Sequence, residues 1–308
     1  MKILVIKPSS LGDVIHALRV MRQYKLAYPA AQIHWVIKAG LEGILESVQW
    51  IDRLYIYKRS GGLIEYFKLI LKIRKFEYDY CLDLQGLLRS ALLAGFSKSR
   101  NKFGRADGRE LSTLFYKSVG ESSRKKQIHA IDRLLPFLGI LGLQKHEENL
   151  PLEFPPPETK KKPNKIPSGC IMIFPESRRS EKVWPYFLEL ADWIKQNCQQ
   201  PLVIAGNYPD NSYKNCIDIR GSTKLRDLPF AISQASLVIS NDSAPLHIAS
   251  AVGAKIIALF GPTEPERYGP YPSMMNKTSC VRSTSYKIED IEFTTVKNAI
   301  QRVFNSEF

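Results

Sequence analysis

Short apolar runs alternate with longer amphipathic stretches along most of the chain. In the first half, runs rich in β-branched and aromatic residues predict strands at Ile3–Lys7, Gln32–Ile37, Arg53–Tyr57 and Tyr80–Leu84. Helical periodicity marks the stretches near residues 14–27, 63–76 and 86–96. Short apolar strands between longer helices indicate βαβ units and a parallel sheet.

The second half repeats this organisation. Strands are predicted at Cys170–Phe174, Leu202–Ala205, Leu237–Ser240 and Lys255–Phe260, and helices near residues 185–198, 225–234 and 245–252. The predicted fold class is therefore α/β, with two Rossmann-like domains whose parallel sheets face a central cleft. In such an arrangement ligands bind at the carboxyl ends of the strands, in the cleft between the domains.

A proline- and lysine-rich segment separates the two halves. Residues 154–169 contain five prolines and four lysines, a composition that excludes a helix interior or a central strand. We therefore predict a first domain over residues 1–155, a linker over 156–168 and a second domain over 169–308. The length of 308 residues agrees with two domains, since single cores rarely grow beyond about 250–300 residues.

Basic residues are concentrated in the first half. Residues 1–150 carry a net charge of +11 and residues 151–308 a net charge of +3. This excess favours an anionic partner, either nucleic acid, a phosphorylated lipid or an anionic membrane face, and charge alone does not choose among them. In the segment 63–75, lysines 68, 72 and 75 recur among Leu, Ile and Phe. This pattern fits a helix lying on a bilayer or an ordinary sheet-covering helix with a solvated basic face.

Several classes of protein are excluded by composition. A hydrophobic content of 44% and a charged content of 24% are typical of a globular chain, and no apolar run is long enough to span a bilayer. The first apolar run is too short for a secretory signal, so we expect a cytoplasmic protein. Five scattered cysteines without a CxxC pair argue against a disulfide framework and a zinc site.

The first strand leads directly into the loop Pro8-Ser9-Ser10-Leu11-Gly12-Asp13. We expect Gly12 to allow a tight turn, and Ser10 and Asp13 either to cap the next helix or to face a substrate. By itself, Asp13 fits a helix N-cap. The loop lacks a GxGxxG pattern, which gives no support to a pyridine-dinucleotide site.

The segment from Ser240 to Gly253 carries the clearest chemical signal of the second half. Pro245 suits a helix start and Gly253 a helix end. The N–H groups of Ser243, Ala244 and Leu246 are expected to point out of that start and to favour an anion such as a diphosphate. A capped helix without a ligand explains this segment equally well. Two more polar loops, 175–185 and 261–270, follow strands of the same sheet, and the first of them is basic enough to neutralise a phosphate.

Taken in order, these segments resemble the lipopolysaccharide heptosyltransferases of glycosyltransferase family 9, which have the two-domain GT-B fold. The resemblance covers nearly the whole chain. The segments that carry it are Lys7–Val14, Asp83–Ser90, Arg109–Glu110, His129–Arg133, Arg179–Pro185, Asn241–His247 and Phe260–Thr263. Ile33–Val36 and Asp83–Leu87 look more like heptosyltransferase I than II.

The resemblance implies transfer of L-glycero-D-manno-heptose from ADP-heptose to a Kdo residue of lipid A–Kdo, with inversion and without a metal or other cofactor. It also implies a peripheral enzyme at the cytoplasmic face of the inner membrane. Asp13 matches the general base of the family, and Lys182 matches the lysine that pairs with the donor diphosphate. The other matching donor residues are Asp242, Ser243, Ala244, His247 and Thr263. The matching acceptor and loop residues are Ser9, Ser10, Gly12, Arg109 and Glu110.

Two positions depart from the family pattern. Ala244 stands where the family usually has glycine, and Gly206–Pro209 stands where related enzymes often carry a glutamate that contacts the nucleoside. A family 9 enzyme with another acceptor, as in heptosyltransferase II, or with another donor sugar remains an alternative. A basic nucleic-acid-binding protein would also explain the charge, but no helix-turn-helix, RRM or KH signature is present, so no nucleic-acid partner is expected.

Overall fold

A computed structural model describes residues 1–122, 127–144, 151–157, 166–209, 212–272 and 278–305. The chain forms two compact units, Met1–Leu150 and Pro151–Phe308. Residues 158–165 of the predicted linker lie outside the described residues. The backbone N–H of Leu152 donates to the carbonyl oxygen of Ala251 at 2.6 Å. This bond lies within the second unit, although Leu152 comes before the predicted linker.

In its described part, the first unit is a parallel sheet covered by helices. The sheet has six strands in the order β3-β2-β1-β4-β5-β6. A 3-10 helix at Arg59–Gly61 precedes α3, and another at Ser112–Phe115 precedes β6. The elements are β1 (Lys2–Ile6), α1 (Leu11–Ala27), β2 (Gln32–Lys38), α2 (Gly43–Glu46), β3 (Arg53–Tyr57), α3 (Gly62–Ile73), β4 (Glu77–Asp83), α4 (Leu88–Phe96), β5 (Lys98–Arg105), β6 (Lys117–Val119) and α5 (Pro136–Ile140).

The described residues of the second unit form another parallel sheet of six strands, in the order β12-β11-β10-β7-β8-β9. Ser180–Lys182 and Ile288–Asp290 are 3-10 helices. The elements are β7 (Cys170–Phe174), α6 (Phe187–Asn197), β8 (Leu202–Ile204), β9 (Ile217–Asp218), α7 (Leu228–Ser233), β10 (Ala235–Asn241), α8 (Ala244–Val252), β11 (Ile256–Phe260), α9 (Pro265–Tyr268), β12 (Thr278–Arg282) and α10 (Phe293–Asn305).

The central strands are apolar because helices cover both faces of each sheet. Ile3–Ile6 of β1 and Cys170–Phe174 of β7 are buried along their length. The strand register also decides where polar loops emerge. Ile6 pairs with Asp83, and Asp83 in turn pairs with Gly104, so the segments after β1, β4 and β5 leave the sheet at one edge. The segments after β7, β10 and β11 are likewise neighbours.

The structure confirms the α/β class and all eight predicted strands, and adds strands β5, β6, β9 and β12 and helices α2, α5, α9 and α10. The added strands lie at or near the sheet edges. Edge strands tolerate charged and polar side chains, so they lack the apolar runs used for prediction. Among the described residues, no helix combines the length and apolarity that crossing a membrane requires.

Candidate active site

The segment between β1 and α1 places Asp13 at the carboxyl edge of the first sheet. Ser10 caps α1, and the Asp13 carboxylate accepts hydrogen bonds from the Ser10 backbone N–H at 3.0 Å and from its Oγ at 2.9 Å. Asp13 is therefore the third residue of the helix in a capping box, and the interpretation of Asp13 as the N-cap is wrong. The backbone N–H of Ser9 donates to the Gln85 side chain at 3.3 Å, which ties the loop to the segment after β4.

Gly12 does not form the predicted turn. It is the second residue of α1 and is not among the glycines with positive φ. The chain turns earlier, before Ser10, where the carbonyl oxygen of Pro8 accepts from the Lys38 N–H at 3.1 Å. Gly12 is thus a buried residue of the first helical turn, where its small size matters and its backbone freedom is not used.

Lys7 is the buried partner of Asp13. Its Nζ lies 3.8 Å from the Asp13 carboxylate, and its side chain is 3% exposed whereas that of Asp13 is 40% exposed. Burial lowers the pKa of Lys7, although the charges of Asp13 and Asp83 oppose this effect. Burial by itself raises the pKa of Asp13, but the Lys7 charge, His16 and the Ser10 hydrogen bonds outweigh it and hold that pKa well below its usual range. Asp13 is thus an ionised carboxylate presented to solvent.

Asp83 lies at the end of β4 beneath this pair and is completely buried. Its carboxylate accepts from the backbone N–H groups of Gln85 at 2.9 Å and Gly86 at 3.1 Å, and from Ser90 Oγ at 2.9 Å. Burial raises the pKa of Asp83 to about 6, while these hydrogen bonds and Lys7 act in the opposite direction. Neither Asp83 nor Lys7 was assigned a chemical role from the sequence.

Basic groups after β5 complete this edge. Arg105 makes two hydrogen bonds to Asp107, at 2.8 and 2.7 Å, and Arg133 donates to the same carboxylate at 3.0 Å. Burial by itself lowers the pKa of Arg105, but the hydrogen bonds to Asp107 and its charge outweigh this effect and raise that pKa, with smaller contributions from Asp13 and Asp83. Lys7, Asp13, Asp83, Arg105 and Asp107 are called the first-unit cluster below.

Arg109 and Glu110 lie in the exposed loop beside this cluster. The Arg109 N–H donates to the Gly86 carbonyl at 2.8 Å, and the Leu88 N–H donates to the Glu110 carboxylate at 3.3 Å. Glu110 has a positive φ of 59°. The structure therefore attaches the predicted acceptor-side loop to the segment that carries Asp83.

In the second unit, the basic loop after β7 is held against the end of β10. The Asn241 side chain accepts from the Trp184 backbone N–H at 3.1 Å and donates to the Pro175 carbonyl at 3.2 Å. Trp184 is itself buried, and its indole N–H donates to the Ile291 carbonyl at 2.9 Å. Both ends of the loop are fixed in this way, and Lys182 lies between them.

Asp242 joins the predicted donor residues. Its Oδ2 accepts from Lys182 Nζ and, at 2.6 Å, from Thr263 Oγ1, and its Oδ1 lies 4.0 Å from His247 Nε2. The Asp242 side chain is 6% exposed and that of Lys182 is 13% exposed. Lys182, Asp242, His247 and Thr263 are called the second-unit cluster below. These residues come from three different segments, after β7, β10 and β11, as the strand register requires.

Helix α8 begins next to Asp242, with Ser243 as N-cap and Ala244 as its first residue. Ser243 Oγ lies 3.3 Å from Ser240 Oγ. The Leu246 N–H donates to the Ser243 carbonyl at 3.1 Å, so the expectation that it is free at the helix start is wrong. The first turn closes by an i→i+3 bond, which is common at helix ends. Gly253 ends the helix in the left-handed conformation, as predicted.

Glu176 is a second acidic residue that the sequence analysis did not single out. Its carboxylate accepts from the backbone N–H groups of Asn207 at 2.8 Å and Tyr208 at 2.9 Å. A Cβ added at Gly206 would lie 2.7 Å from this carboxylate, so a larger residue there would displace the Glu176 side chain. The loop that departs from the family pattern is thus bound to a glutamate from a neighbouring strand.

The described residues contain no group of three or more His, Cys, Asp and Glu side chains placed to hold a metal ion. The structure brings the predicted residues into two groups, one in each unit. Lys7 and Asp83 could have been found from the sequence, because each is a charged residue directly at the end of an apolar strand. Asp107 and Arg133 carry no comparable signal, since they come from separate loops.

Comparison with known proteins places the chain in a family. The sequence profile of glycosyltransferase family 9 (heptosyltransferase) matches residues 66–298. The lipopolysaccharide core heptosyltransferase OpsX of Haemophilus influenzae is 27% identical over 92% of this chain and 85% of its own. The E. coli heptosyltransferase WaaC with ADP has a TM-score of 0.81, 21% identity and coverage of 98% of this chain and 100% of its own.

A second structure of WaaC, with ADP-2-deoxy-2-fluoro heptose, has a TM-score of 0.78 at 19% identity and covers 98% of this chain and 99% of its own. The shared architecture over the full length of both chains identifies the fold as GT-B. The profile covers strands β4, β5 and β6 of the first sheet, all six strands of the second sheet and all of the second-unit cluster. This chain therefore belongs to glycosyltransferase family 9, the heptosyltransferase family, and is a glycosyltransferase.

Proposed function

We propose that this protein transfers L-glycero-D-manno-heptose from ADP-heptose to a Kdo residue of the lipid A–Kdo inner core, with inversion at the anomeric carbon. The observation that carries this proposal is the pair of oppositely charged groups at the two sheet edges. Asp13 offers an ionised carboxylate, and Lys182 offers a cation that is paired with Asp242, next to the start of α8. The relatives named above support the donor, since WaaC was solved with ADP and with an ADP-heptose analogue.

Asp13 acts as the general base in this proposal. As the acceptor hydroxyl oxygen bonds to the anomeric carbon, its proton passes to the Asp13 carboxylate, and the bond from that carbon to the diphosphate breaks. The hydroxyl becomes strongly acidic while the new bond forms, so a carboxylate with a lowered pKa is still able to accept the proton. Ser9, Ser10 and Gly12 shape the segment that presents it. Arg109 and Glu110 lie on the acceptor side.

The second-unit cluster binds the donor and stabilises the departing ADP. Lys182 pairs with the diphosphate and is held in place by Asp242, which in turn contacts Thr263 and His247. Ser243 and Ala244 bring the helix start, with its positive dipole end, to the phosphates. Ala244 adds a methyl group where the family usually has glycine, but it still has a backbone N–H that can donate to a phosphate. These fixed positive groups neutralise the leaving group, which is the basis for proposing a reaction without a metal.

The acceptor is a lipid, so the proposal includes peripheral attachment at the cytoplasmic face of the inner membrane. The net charge of +11 over residues 1–150 supports this setting. We propose no nucleic-acid partner, because the sequence has no helix-turn-helix, RRM or KH signature. A different lipopolysaccharide acceptor, as in heptosyltransferase II, uses the same two clusters and differs only in what contacts the acceptor.

One experiment tests donor, acceptor and metal together. The protein is incubated with ADP-heptose, or with other nucleotide sugars, and with either lipid A–Kdo or an acceptor that already carries heptose. Product mass is then read with and without EDTA. We expect a single added heptose on lipid A–Kdo in both conditions. Product only on the heptosylated acceptor would reassign the acceptor, and loss of product with EDTA would contradict the metal-free mechanism.

A further inference from the structure

Helix α3 exposes an apolar face that its sheet does not cover. Leu63, Ile64, Phe67 and Leu71 are 75%, 71%, 57% and 63% exposed. The same helix packs on the sheet through Leu69, Ile70 and Ile73, which are buried in one core cluster. A surface helix normally carries polar residues opposite its buried stripe. Here the helix has two apolar faces, and only one of them is used for folding.

The order of residues around α3 separates three faces. Successive residues are rotated by about 100° in an α-helix. Within α3 the exposed apolar residues occupy one sector, Lys68 and Lys72 occupy the next, and the buried residues lie on the opposite side. Lys75 follows just after the helix ends at Ile73. If α3 only covered the sheet and had a solvated basic face, the lysines would be explained, but the exposed leucine, isoleucine and phenylalanine side chains would not.

Neighbouring elements extend this apolar face. The Tyr66 hydroxyl donates to the Arg89 carbonyl at 2.5 Å, and the Arg74 side chain donates to the Phe96 carbonyl at 2.8 Å. These two bonds align α3 with α4 from start to end. Leu88 and Phe96 of α4 are themselves 36% and 48% exposed. Single exposed apolar residues are ordinary, but a group of this size on adjacent helices marks an interaction surface.

The charge beside this face identifies the partner. Residues 58–75 contain six basic side chains and one acidic side chain, Glu65, which is paired with Lys68 at 2.8 Å. A row of lysines next to a strip of large apolar residues is the arrangement of helices that lie in the headgroup region of anionic bilayers. A second copy of this chain packed on the same face would bring the same basic residues against this one, and residues 58–75 offer only Glu65 to pair with them.

We propose that α3 and the exposed side of α4 form a docking surface for an anionic phospholipid bilayer. Leu63, Ile64, Phe67 and Leu71 enter the headgroup boundary, and Lys68, Lys72 and Lys75 contact lipid phosphates. This inference rests on the proposed function for its setting, because the acceptor of that reaction is a lipid. The surface is separate from the first-unit and second-unit clusters in sequence and contains none of their residues.

Vesicle flotation tests the surface. The full-length protein is mixed with vesicles of phosphatidylcholine alone or of phosphatidylcholine with phosphatidylglycerol. We expect binding to the anionic vesicles only. Phe67→Ser with Leu71→Ser is expected to weaken it about tenfold or more, and Lys68→Gln with Lys72→Gln about fivefold per lysine. Matched controls are Leu26→Ser with Leu188→Ser, and Lys98→Gln with Lys117→Gln, all at exposed positions.

Other outcomes would overturn the proposal. These are a wild-type protein that does not bind anionic vesicles, a serine variant that binds as the wild type does, or control variants that lose binding equally. Self-association that the serine variant abolishes, with vesicle binding unchanged, would assign the face to a second copy. Thermal unfolding checks that each variant is folded. Transfer to a truncated, water-soluble acceptor is expected to be unchanged in all variants, and its absence in the wild type would contradict the proposed reaction alone.

Discussion

Each unit of this protein holds a lysine–aspartate pair at the carboxyl edge of its sheet, and the two pairs are buried in opposite senses. In the first unit Lys7 is 3% exposed and Asp13 is 40% exposed. In the second unit Asp242 is 6% exposed and Lys182 is 13% exposed. The more exposed member is therefore the anion by a wide margin in the first unit, and the cation by a small margin in the second unit, where both side chains are largely buried.

This difference follows from where each residue lies along the chain. Lys7 directly follows β1, so its side chain starts within the core, whereas Asp13 lies six residues further on, in the first turn of α1. In the second unit the aspartate directly follows β10, and the lysine comes from the loop after β7. Residues that directly follow a central strand are the buried ones in both units. The proposed base and the proposed diphosphate ligand are in each case the outer members.

The largest effect is expected for Asp13→Asn. Asparagine keeps an acceptor for the Ser10 N–H, so the fold and ADP binding should be retained while turnover falls by about 10²–10⁴-fold. Turnover and ADP affinity are measured together. Asp52→Asn is the matched control, since Asp52 lies 3.9 Å from Lys25 with 38% of its side chain exposed. Near-normal turnover of Asp13→Asn would leave Asp13 a capping-box residue without a chemical role.

Lys182→Ala is expected to weaken ADP binding by about 10–150-fold, because a charge-assisted hydrogen bond contributes about 1.5–3 kcal/mol. The change also leaves the buried Asp242 without its cation, which repels the diphosphate and destabilises the unit. Lys182→Ala combined with Asp242→Asn separates these effects, since stability should recover and affinity should not. Titration calorimetry with ADP measures the affinity, and Lys224→Ala is the control at an exposed lysine. Unchanged affinity in Lys182→Ala would remove Lys182 from the donor site.

The comparison also shows which parts of the fold and site can be predicted from sequence. Strands such as β1 and β7 are almost entirely apolar because both faces are covered, and such continuous apolar runs are easily recognised in the sequence. Strand β5, Lys98–Arg105, is mostly charged and polar, and only its partners in the sheet make it a strand. The pattern of one segment cannot contain that information.

The donor residues were predicted from the resemblance, and the structure places Lys182, Asp242 and Thr263 in contact. The helix start at Ser243 follows from local signals, namely a polar cap and Pro245 in the first turn. What could not be predicted is the burial of Lys7 and Asp83, because solvent exposure of a strand end depends on the loops of neighbouring strands. The hydrogen bonds of Glu176 to the loop after β8 are likewise long-range.

Asp83→Asn tests whether the buried Asp83 beside Lys7 changes its ionisation with pH and thereby changes the stability of the fold. The pKa of Asp83 is about 6 in the folded protein and near 3.8 in the unfolded chain, so the folded state binds this proton more tightly. Ionised Asp83 therefore costs stability, fully above pH 6 and progressively less as pH falls toward 4. On lowering the pH from 7.5 to 5, protonation of Asp83 therefore increases the free energy of unfolding by about 1.5 kcal/mol. Urea unfolding at the two pH values should show it in the wild type and not in Asp83→Asn.

His34 is titrated over the same pH range and acts in the opposite direction. Burial among aromatic side chains lowers the pKa of His34 to about 4, so the unfolded state takes up more protons below pH 6.5 and stability falls there. The wild type and Asp83→Asn share this contribution, so their difference isolates Asp83. An equal pH dependence of both proteins would mean that Asp83 is already neutral at pH 7.5 or stays ionised at pH 5.

The smallest effect concerns the hydroxyl groups that support each carboxylate. Thr263 Oγ1 donates to Asp242 at 2.6 Å, and Ser10 Oγ donates to Asp13 at 2.9 Å. Water can replace the Ser10 hydroxyl, because Asp13 is exposed, whereas the buried Asp242 has no such substitute. Thr263→Val keeps the shape and is expected to weaken ADP binding about two- to twelvefold, from the loss of about 0.5–1.5 kcal/mol. Each hydroxyl is tested where its carboxylate acts, so Ser10→Ala is tested by turnover at saturating ADP-heptose, which should be unchanged. A two- to twelvefold loss of turnover in Ser10→Ala, as large as the loss of ADP affinity in Thr263→Val, would show that burial of the carboxylate does not set the contribution of the supporting hydroxyl.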